Sequence, residues 1–451
     1  MAVAHNFKRA GGGAGAGEAA AVSARTILLL ALPALGVLAA NPLYLLLDTA
    51  VVGRLGTFEL AALAAGTAIQ STVTTQLTFL SYGTTARASR LFGAGRRGDA
   101  VAEGVQATWV ALGVGALLAA VVWAFAQPIA LWLTGDAATS AEAARWMRVA
   151  AFAIPLTLVI MAGNGWMRGV QNTRLPLRLT LAGLVPGALL LPVLVGRLGL
   201  VGSAVANVIG MGITATLFAA ALVREHAGSW RGWAPDWAVI RSQLVLGRDL
   251  ILRSLSFQVS LLAAAAVAGR FGAAALAAHQ ILLQLWNFLT LVLDSLAIAA
   301  QTLTGAALGT GEIERAKSVG RAVVRYSVAF SVVLAVVFAL LGRPIQSLFT
   351  RDGEVFDALA VPWWLMITMI VTGSVVFALD GVLLGAGDAA FLRNLTIGAA
   401  LGGFLPLTLL SVQFGWGLAG IWCGQLAMVC IRLIGVTARF RSMRWARTGQ
   451  G

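Results

Sequence analysis

Long apolar segments, separated by short polar connections, follow one another along almost the whole chain. Many of them contain about 20 residues or more, enough for a helix to cross a hydrocarbon layer of about 30 Å. The pattern therefore predicts an all-α integral membrane protein with twelve transmembrane helices. The predicted spans are 26–52, 60–86, 101–126, 145–167, 177–196, 200–223, 249–268, 275–305, 320–341, 360–384, 395–413 and 418–438.

The pattern also repeats itself at a separation of 216 residues. The matching segments are Gly53-Arg54-Leu55-Gly56 with Gly269-Arg270-Phe271-Gly272, Gly93-Ala94-Gly95 with Gly309-Thr310-Gly311, and Gly169 with Gly385. Three matches at one separation indicate an internal duplication. Because each copy holds six spans, both copies begin on the same side of the membrane, which predicts two six-helix lobes related by a pseudo-twofold axis along the membrane normal.

The predicted organisation follows from these spans. A Gly- and Ala-rich tail at 1–25 is expected to be disordered and cytoplasmic. The two lobes occupy 26–223 and 249–438, and a basic cytoplasmic tail occupies 439–451. The linker at 224–248 carries Trp230, Trp233 and Trp237 and is expected to lie at the membrane interface.

Composition and charge support a membrane protein and set its orientation. Apolar residues make up 59% of the chain and charged residues only 11%, against about 25% charged in soluble domains. Of the 32 Lys and Arg residues, 25 fall on one side of the predicted topology and 7 on the other. This bias predicts that both termini lie on the cytoplasmic side of a bacterial plasma membrane. The net charge is +14, but the basic residues flank the spans instead of forming one patch, so the charge does not indicate nucleic-acid binding.

Three acidic residues lie within the predicted spans: Asp48, Asp294 and Asp380. An Asp at the centre of a membrane helix costs about 2.5–3.5 kcal/mol on insertion scales, so it usually faces a cavity or a partner. Each is a candidate for cation coupling, and the structural alternative is an acid hydrogen-bonded to a neighbouring helix. The duplication aligns Asp380 with Asn164, so the charge is not shared between the copies.

Other polar residues in the spans are candidates for a substrate cavity. They are Asn41, Tyr44, Gln70, Asn164, Gln280, Gln284, Asn287 and Gln301. Gln280, Gln284 and Asn287 follow helical spacing and are predicted to share a face with Asp294. Each residue alone is more often an interhelical hydrogen bond than a ligand contact. Pro33 and Pro42 are predicted to bend the first span, as a gate or as a static kink.

Several of these segments resemble a known family. Residues 48–56 (Asp-Thr-Ala-Val-Val-Gly-Arg-Leu-Gly) are similar to the first-span signature of multidrug and toxic compound extrusion (MATE) transporters. Residues 168–174 resemble the connection after the fourth span of that family. Leu293-Asp294, and Leu379-Asp380-Gly381 with Arg393-Asn394, resemble its DinF-like branch. The resemblance covers residues 22 to about 440.

The resemblance implies a transporter in which two lobes form a V and alternate between inward- and outward-open states. Such proteins export organic, mostly cationic or amphipathic molecules in exchange for protons or sodium, and Asp48 matches the acid of the first span used for coupling. The chain departs from the family at Gly187 and Leu191, where members carry Asn and Asp, and at Gln301, where the branch has an acid. These departures favour proton coupling, because a hard cation such as sodium needs several oxygen ligands.

The expected partners are small organic molecules and membrane lipid, with no nucleic acid, no metal and no cofactor other than the coupling ion. One chain is expected to function as a monomer. The alternatives are a sodium-coupled drug antiporter and a flippase for a lipid-linked precursor, which would favour a cationic cavity. A membrane-embedded enzyme is disfavoured, because the loops are short and the chain has 3 histidines.

Overall fold

The computed structural model describes residues 23–226 and 232–448, and all regular elements in these ranges are helices. The expected disorder of residues 1–22, the interfacial position of Trp230 and the last residues of the basic tail lie outside the described residues. The first copy of the repeat contains α1 (Ala24–Val52), α2 (Thr57–Gln76), α3 (Phe79–Gly93), α4 (Arg97–Ala124), α5 (Ala126–Thr134), α6 (Ala137–Ala150), α7 (Ala153–Gly169), α8 (Arg174–Leu198) and α9 (Leu200–His226).

The second copy has fewer and longer helices. It contains α10 (Trp237–Arg270), α11 (Ala273–Gly309), α12 (Ile313–Leu340), α13 (Gly342–Ser347), α14 (Gly353–Gly385), α15 (Ala389–Ala399), a π-helical turn (Ala400–Phe404), α16 (Leu405–Phe414) and α17 (Gly417–Arg441). The π turn contains Gly402 and Gly403 and is followed by Pro406, so the predicted span 395–413 is locally irregular.

Ten helical segments of the described chain are long and apolar enough to cross a membrane, and an eleventh is the pair α6–α7, bent by 43°. The predicted second span, 60–86, is instead divided into α2 and α3 at Leu77–Thr78. Its equivalent in the second copy is α11, an unbroken helix at positions 273–309 that is long and apolar enough to cross a membrane. The twelve-helix architecture is therefore preserved, with two of the first copy's spans broken.

Backbone conformation supports the duplication independently of residue identity. Outside the copies' helices, residues with positive φ recur 216 positions apart. The pairs are Gly56 (φ 154°) with Gly272 (103°), Gly95 (76°) with Gly311 (80°), Gln171 (61°) with Gly387 (74°), and Gly199 (63°) with Gly415 (68°). The left-handed region is disfavoured for residues with a Cβ. The connections between helices thus keep the same turns in both copies.

Close helix packing also recurs in the two copies. A Cβ on Gly169 of α7 would approach the Cβ of Ala88 on α3 to 2.4 Å. A Cβ on the equivalent Gly385 of α14 would approach the carbonyl oxygen of Gln301 on α11 to 2.4 Å. Small residues let membrane helices approach at backbone distance, so these glycines hold one element of each copy against the same neighbouring element.

The described chain forms two compact units. The N-unit comprises Leu32–Gly247, and the C-unit comprises Arg248 onward together with the residues up to Ala31. The unit boundaries therefore fall inside α1 and α10, whereas the sequence placed the lobe boundaries at residues 26 and 249.

The linker is shorter than the sequence suggested, because α9 continues to His226 and α10 begins at Trp237. Within the N-unit it is attached to α4. The amide of Gln106 donates to the carbonyl of Ala234 (3.0 Å) and accepts from the N–H of Asp236 (2.8 Å). Trp237 is 75% exposed.

Candidate functional site

Asp48 lies on the last turns of α1 and is 1% exposed. The hydroxyl of Ser203, on α9, donates a hydrogen bond of 2.8 Å to its Oδ2 atom. The Oδ1 atom has no hydrogen-bond partner, and within the described ranges no Arg or Lys forms an ion pair with this carboxylate. Asp48 is therefore a buried acid that accepts a hydrogen bond from a neutral hydroxyl.

Tyr44 lies one turn before Asp48 on the same helix. It is also buried, and its hydroxyl has no hydrogen-bond partner. Because buried polar groups are normally hydrogen-bonded, two unsatisfied oxygen atoms one helical turn apart identify a place where a proton, a water or another small polar species can bind.

Ser203 is itself held by a third residue. The indole Nε1 of Trp146, on α6, donates to the Ser203 hydroxyl oxygen at 3.2 Å. Trp146 is 1% exposed and also lines a shallow cleft whose enclosed space is about that of one water molecule. The other lining residues are Gly66, Ile69, Gln70, Val122, Met147, Ala150, Ala151 and Ile154. The predicted cavity residue Gln70 is thus in this cleft, which is otherwise apolar.

The remaining predicted residues of the N-unit have different surroundings. Asn41 is exposed on α1, and Asn164 on α7 is buried with its Oδ1 unpaired. Pro33 and Pro42 both lie inside α1, which continues without interruption from Ala24 to Val52. The prolines do not divide this helix into two.

Asp380, on α14 in the C-unit, is 3% exposed and is held by two arginines. Arg253 of α10 and Arg432 of α17 both donate to its Oδ2 atom. Both guanidinium groups also lie over the ring of Phe257, at 5.8 Å for Arg253 and 4.7 Å for Arg432. Charge-assisted hydrogen bonds of this kind are stronger than neutral ones, so Asp380 ties three helices together.

The ion pairs continue along α10. Asp249 accepts from Arg393 of α15 at 2.5 Å and from its neighbour Arg248 at 3.0 Å. Arg439 of α17 pairs with Asp388 at 2.7 Å. The C-unit therefore contains a series of ion pairs that connects α10, α14, α15 and α17.

The predicted polar face on α11 is present in part. Gln280, Gln284 and Asn287 are all exposed on this helix, as their spacing predicted, whereas Asp294 is half-buried and Gln301 is buried. Asp294 is close enough to Arg432 for its charge to attract that guanidinium. His279 is fully buried and accepts a hydrogen bond from the indole of Trp422 at 3.2 Å.

Two positions at which the chain departs from the family pattern are buried on α8. A Cβ on Gly187 would approach the Cα of Gly210 on α9 to 3.1 Å, and Leu191 is fully buried. Neither side chain carries an oxygen atom. These two residues of α8 therefore offer no side-chain ligand for a cation.

Sequence reasoning missed Ser203, Trp146, Arg253 and Arg432. Arg432 carried a usable signal, because it interrupts an apolar run inside the last predicted span, but it was counted as a flanking charge. Arg253 was likewise counted among the basic residues of the cytoplasmic side, although it lies inside the predicted span 249–268 and inside α10, Trp237–Arg270. Ser203 and Trp146 have no local signature, since their role depends on contacts with distant helices.

Comparison with known proteins places the chain in a family. The MatE family model matches residues 33–193 and 250–407. Protein DETOXIFICATION 44, chloroplastic, of Arabidopsis thaliana is 31% identical over 430 residues, which cover 90% of this chain and 80% of that protein. The DNA damage-inducible protein F of Escherichia coli is 30% identical over 423 residues, and the aligned part covers 91% of this chain and 91% of that protein.

Solved structures share the fold. A crystal structure of a mutant of the Vibrio cholerae MATE transporter VcmN aligns with a TM-score of 0.85 at 20% identity and covers 94% of this chain and 98% of that one. A MATE structure in the bent conformation aligns with a TM-score of 0.86 at 19% identity and covers 93% and 96%. With the family model matching both copies of the repeat, this chain belongs to the MATE family of membrane transporters.

Proposed function

We propose that this protein is a secondary active antiporter that exports organic, cationic or amphipathic molecules in exchange for protons. Its relatives include proteins named for multidrug resistance, such as the multidrug resistance protein MdtK of Edwardsiella ictaluri, 25% identical over 443 residues. Alternating access of the two copies moves the substrate, and Asp48 carries the exchanged proton.

The observation that carries this proposal is the environment of Asp48. A coupling acid must accept and release a proton during the cycle, so its charge must not be fixed by a permanent counter-ion. Asp48 is buried beside a serine hydroxyl and has one unpaired oxygen atom. Asp380, in contrast, is paired with Arg253 and Arg432, which a coupling cation would have to displace.

Proton coupling is favoured over sodium coupling by the ligands that α8 does not provide. Sodium is a hard cation that needs several oxygen atoms, and Gly187 and Leu191 supply none from their side chains. A sodium-coupled antiporter is the second candidate. Its site would then involve Asp294 and Asp380, which lie near the same arginine.

A flippase for a lipid-linked precursor is less well supported. A pyrophosphate-bearing substrate would need free cationic groups in its path, whereas the guanidinium groups of the half-buried Arg253 and the buried Arg432 contact a carboxylate. None of the names of the relatives given above indicates an enzymatic role. We infer further that the chain functions as a monomer in the bacterial plasma membrane with both termini in the cytoplasm.

The driving force is sufficient for export. Exchange of one proton for one monovalent cation moves no net charge, so the pH difference alone drives it. One pH unit corresponds to about 1.4 kcal/mol, or tenfold accumulation. A neutral or zwitterionic substrate would also use the membrane potential, at about 2.3 kcal/mol per charge per 100 mV.

The test is efflux of ethidium from proteoliposomes that contain the full-length protein. One set carries a pH gradient without sodium, and the other carries a sodium gradient at equal pH. We expect efflux with the pH gradient alone. Efflux with sodium alone would overturn proton coupling and direct attention to Asp294 and Asp380.

A further inference from the structure

Trp146 connects the cleft of the N-unit to Asp48. Its indole ring forms part of the cleft wall, and its N–H donates to the same hydroxyl that donates to Asp48. The path from cleft to acid therefore consists of two hydrogen bonds, of 3.2 Å and 2.8 Å, and crosses from α6 through α9 to α1.

The direction of these hydrogen bonds is fixed by chemistry. An indole N–H can only donate, and a serine hydroxyl has one proton to donate. Because the Ser203 oxygen accepts from Trp146, its own proton is directed to Asp48. A donor that is held toward a carboxylate stabilises the charged form of that carboxylate. Without Trp146, the hydroxyl is free to rotate away.

The indole has little freedom to move. A Cβ on Gly66 of α2 would approach the ring carbon Cε3 of Trp146 to 2.4 Å, so the ring lies directly against the α2 backbone. Gly66 and Gln70 of α2 line the same cleft. A movement of α2 therefore acts on the indole.

We propose that Trp146 is a positioning residue that sets the proton affinity of Asp48 through Ser203 and links it to the position of α2. This inference rests on the proposed function, in which Asp48 exchanges protons. It explains how binding of an organic cation promotes proton release without direct contact between the two: a movement of α2 toward the indole holds the N–H of Trp146 on Ser203, and the hydroxyl kept toward Asp48 stabilises the charged carboxylate.

Within the described residues, the charged and polar groups around Asp48 are as follows. Tyr44, on the same helix, is an ionisable side chain on which the charge of Asp48 acts. Ser203 is its neutral partner on α9. On α6, Arg145 pairs with Glu142, and Arg148 lies over the ring of Trp123 at 5.9 Å. The hydroxyl held by Trp146 is thus the adjustable contact at this acid.

The experiment measures proton release when tetraphenylphosphonium, an organic cation, is added to the purified full-length protein in detergent. A pH-indicator dye reports protons released per bound cation between pH 5 and 9. The variants are Trp146→Phe, Ser203→Ala and the double variant. The matched control is Trp166→Phe, because Trp166 is a buried tryptophan of the same unit whose indole N–H has no hydrogen-bond partner.

We expect Ser203→Ala to move the pH midpoint of release upward by about one unit, since a hydrogen bond to a charged group is lost. Trp146→Phe should move it in the same direction and reduce the protons released per cation, whereas Trp166→Phe should match the wild type. In the Ser203→Ala background, Trp146→Phe should add nothing, because both residues act through one hydroxyl.

Gly66→Ala provides a second test if Trp146→Phe does not fold, because it displaces the indole from the opposite side and keeps the N–H. The inference is overturned if Trp146→Phe, or in its place Gly66→Ala, behaves like the control, or if the two single effects add. Failure of the proposed function looks different: Asp48→Asn would then still release protons on cation binding. If Asp48→Asn releases no protons on cation binding but Trp146→Phe releases them like the wild type, the proposed function stands and only this inference is rejected.

Discussion

The two copies of the repeat share a backbone but differ in how they hold their buried acids. Helix α4 spans Arg97–Ala124, and α12 spans Ile313–Leu340, so both ends coincide after a shift of 216 residues. The acids do not coincide. Asp48 aligns with Ala264, and Asp380 aligns with Asn164. Duplication preserved the helices and their turns, and the charges were placed separately in each copy.

The counter-ions differ as well. Arg432, which pairs with Asp380, aligns with Thr216, an exposed residue that donates only to the carbonyl of Gly212 in its own helix. Ser203, which donates to Asp48, aligns with Ala419. One copy therefore holds its acid with guanidinium groups, and the other holds its acid with a hydroxyl. A fixed charge stabilises structure, whereas an acid without a counter-ion can change its protonation.

The largest expected effect comes from Asp48→Asn. Asparagine keeps the size of the side chain and its hydrogen bond to Ser203 but cannot exchange a proton. Ethidium efflux driven by a pH gradient should therefore fall to the leak rate of protein-free liposomes. Glu354→Gln, which neutralises an exposed acid, should leave efflux unchanged. Transport at the wild-type rate by Asp48→Asn would remove the functional distinction between the two acids.

Asp380→Asn should act mainly on stability. The substitution leaves the buried guanidinium group of Arg432 and the half-buried one of Arg253 without their carboxylate, and removal of one partner from a buried ion pair costs about 3–5 kcal/mol. We expect a clearly lower melting temperature in detergent, while efflux per folded molecule stays pH-driven. Replacing Arg253 and Arg432 by Met in the same variant should restore much of the loss. A melting temperature equal to that of Glu354→Gln would show that Asp380 is not a structural acid.

The shared backbone predicts equal sensitivity at equivalent glycines. Gly169→Ala and Gly385→Ala each insert a Cβ at 2.4 Å from a neighbouring helix, and overpacking of this kind costs about 1–3 kcal/mol. Gly113→Ala is the matched control, because a Cβ there meets nothing within 4 Å. Thermal unfolding of the three variants tests whether the copies are packed alike. If only one of Gly169→Ala and Gly385→Ala lowers the melting temperature, the two copies are not packed alike at these glycines.

The sequence predicted the parts of this structure that depend on local patterns. Apolar runs located the spans, and the 216-residue separation located the turns, because glycine is favoured where φ is positive. It did not predict the division of the second span at Leu77–Thr78, where the chain has no Pro or Gly to mark a break. It also missed the polar segment at 137–144, which extends α6 beyond the predicted span.

The candidate site was predictable only one residue at a time. Asp48 and Asp380 were recognised by the cost of placing an acid in a membrane helix. Their partners were not, because Ser203 is 155 residues from Asp48 and Arg253 is 127 residues from Asp380. Such pairings are set by helix packing, and a single sequence contains no local signal for them. The difference between the two acids thus became visible only with the contacts in place.

The smallest expected effect concerns the helix caps that the copies share. Asp136 begins α6 by accepting from the N–H of Thr139 at 2.7 Å, and the equivalent Asp352 begins α14 by accepting from the N–H of Glu354 at 2.9 Å. The bonds from the backbone N–H and hydroxyl of Thr139 hold the pKa of Asp136 below its usual value.

A lowered pKa means that this cap contributes stability above about pH 4, the value for an unfolded Asp, and loses it as the pH falls through the lower folded value. Asp136→Ala should therefore lower the melting temperature slightly at pH 7, and the difference from the wild type should shrink as the pH falls below about 4 toward the lower folded pKa. Because the side chain is exposed, the change should be much smaller than that of Asp380→Asn. Asp136→Asn should retain the cap at both pH values, since Asn caps about as well as Asp. A difference that persists unchanged at low pH would mean that the carboxylate charge of Asp136 does not stabilise α6, and that the two copies share this cap for its geometry alone.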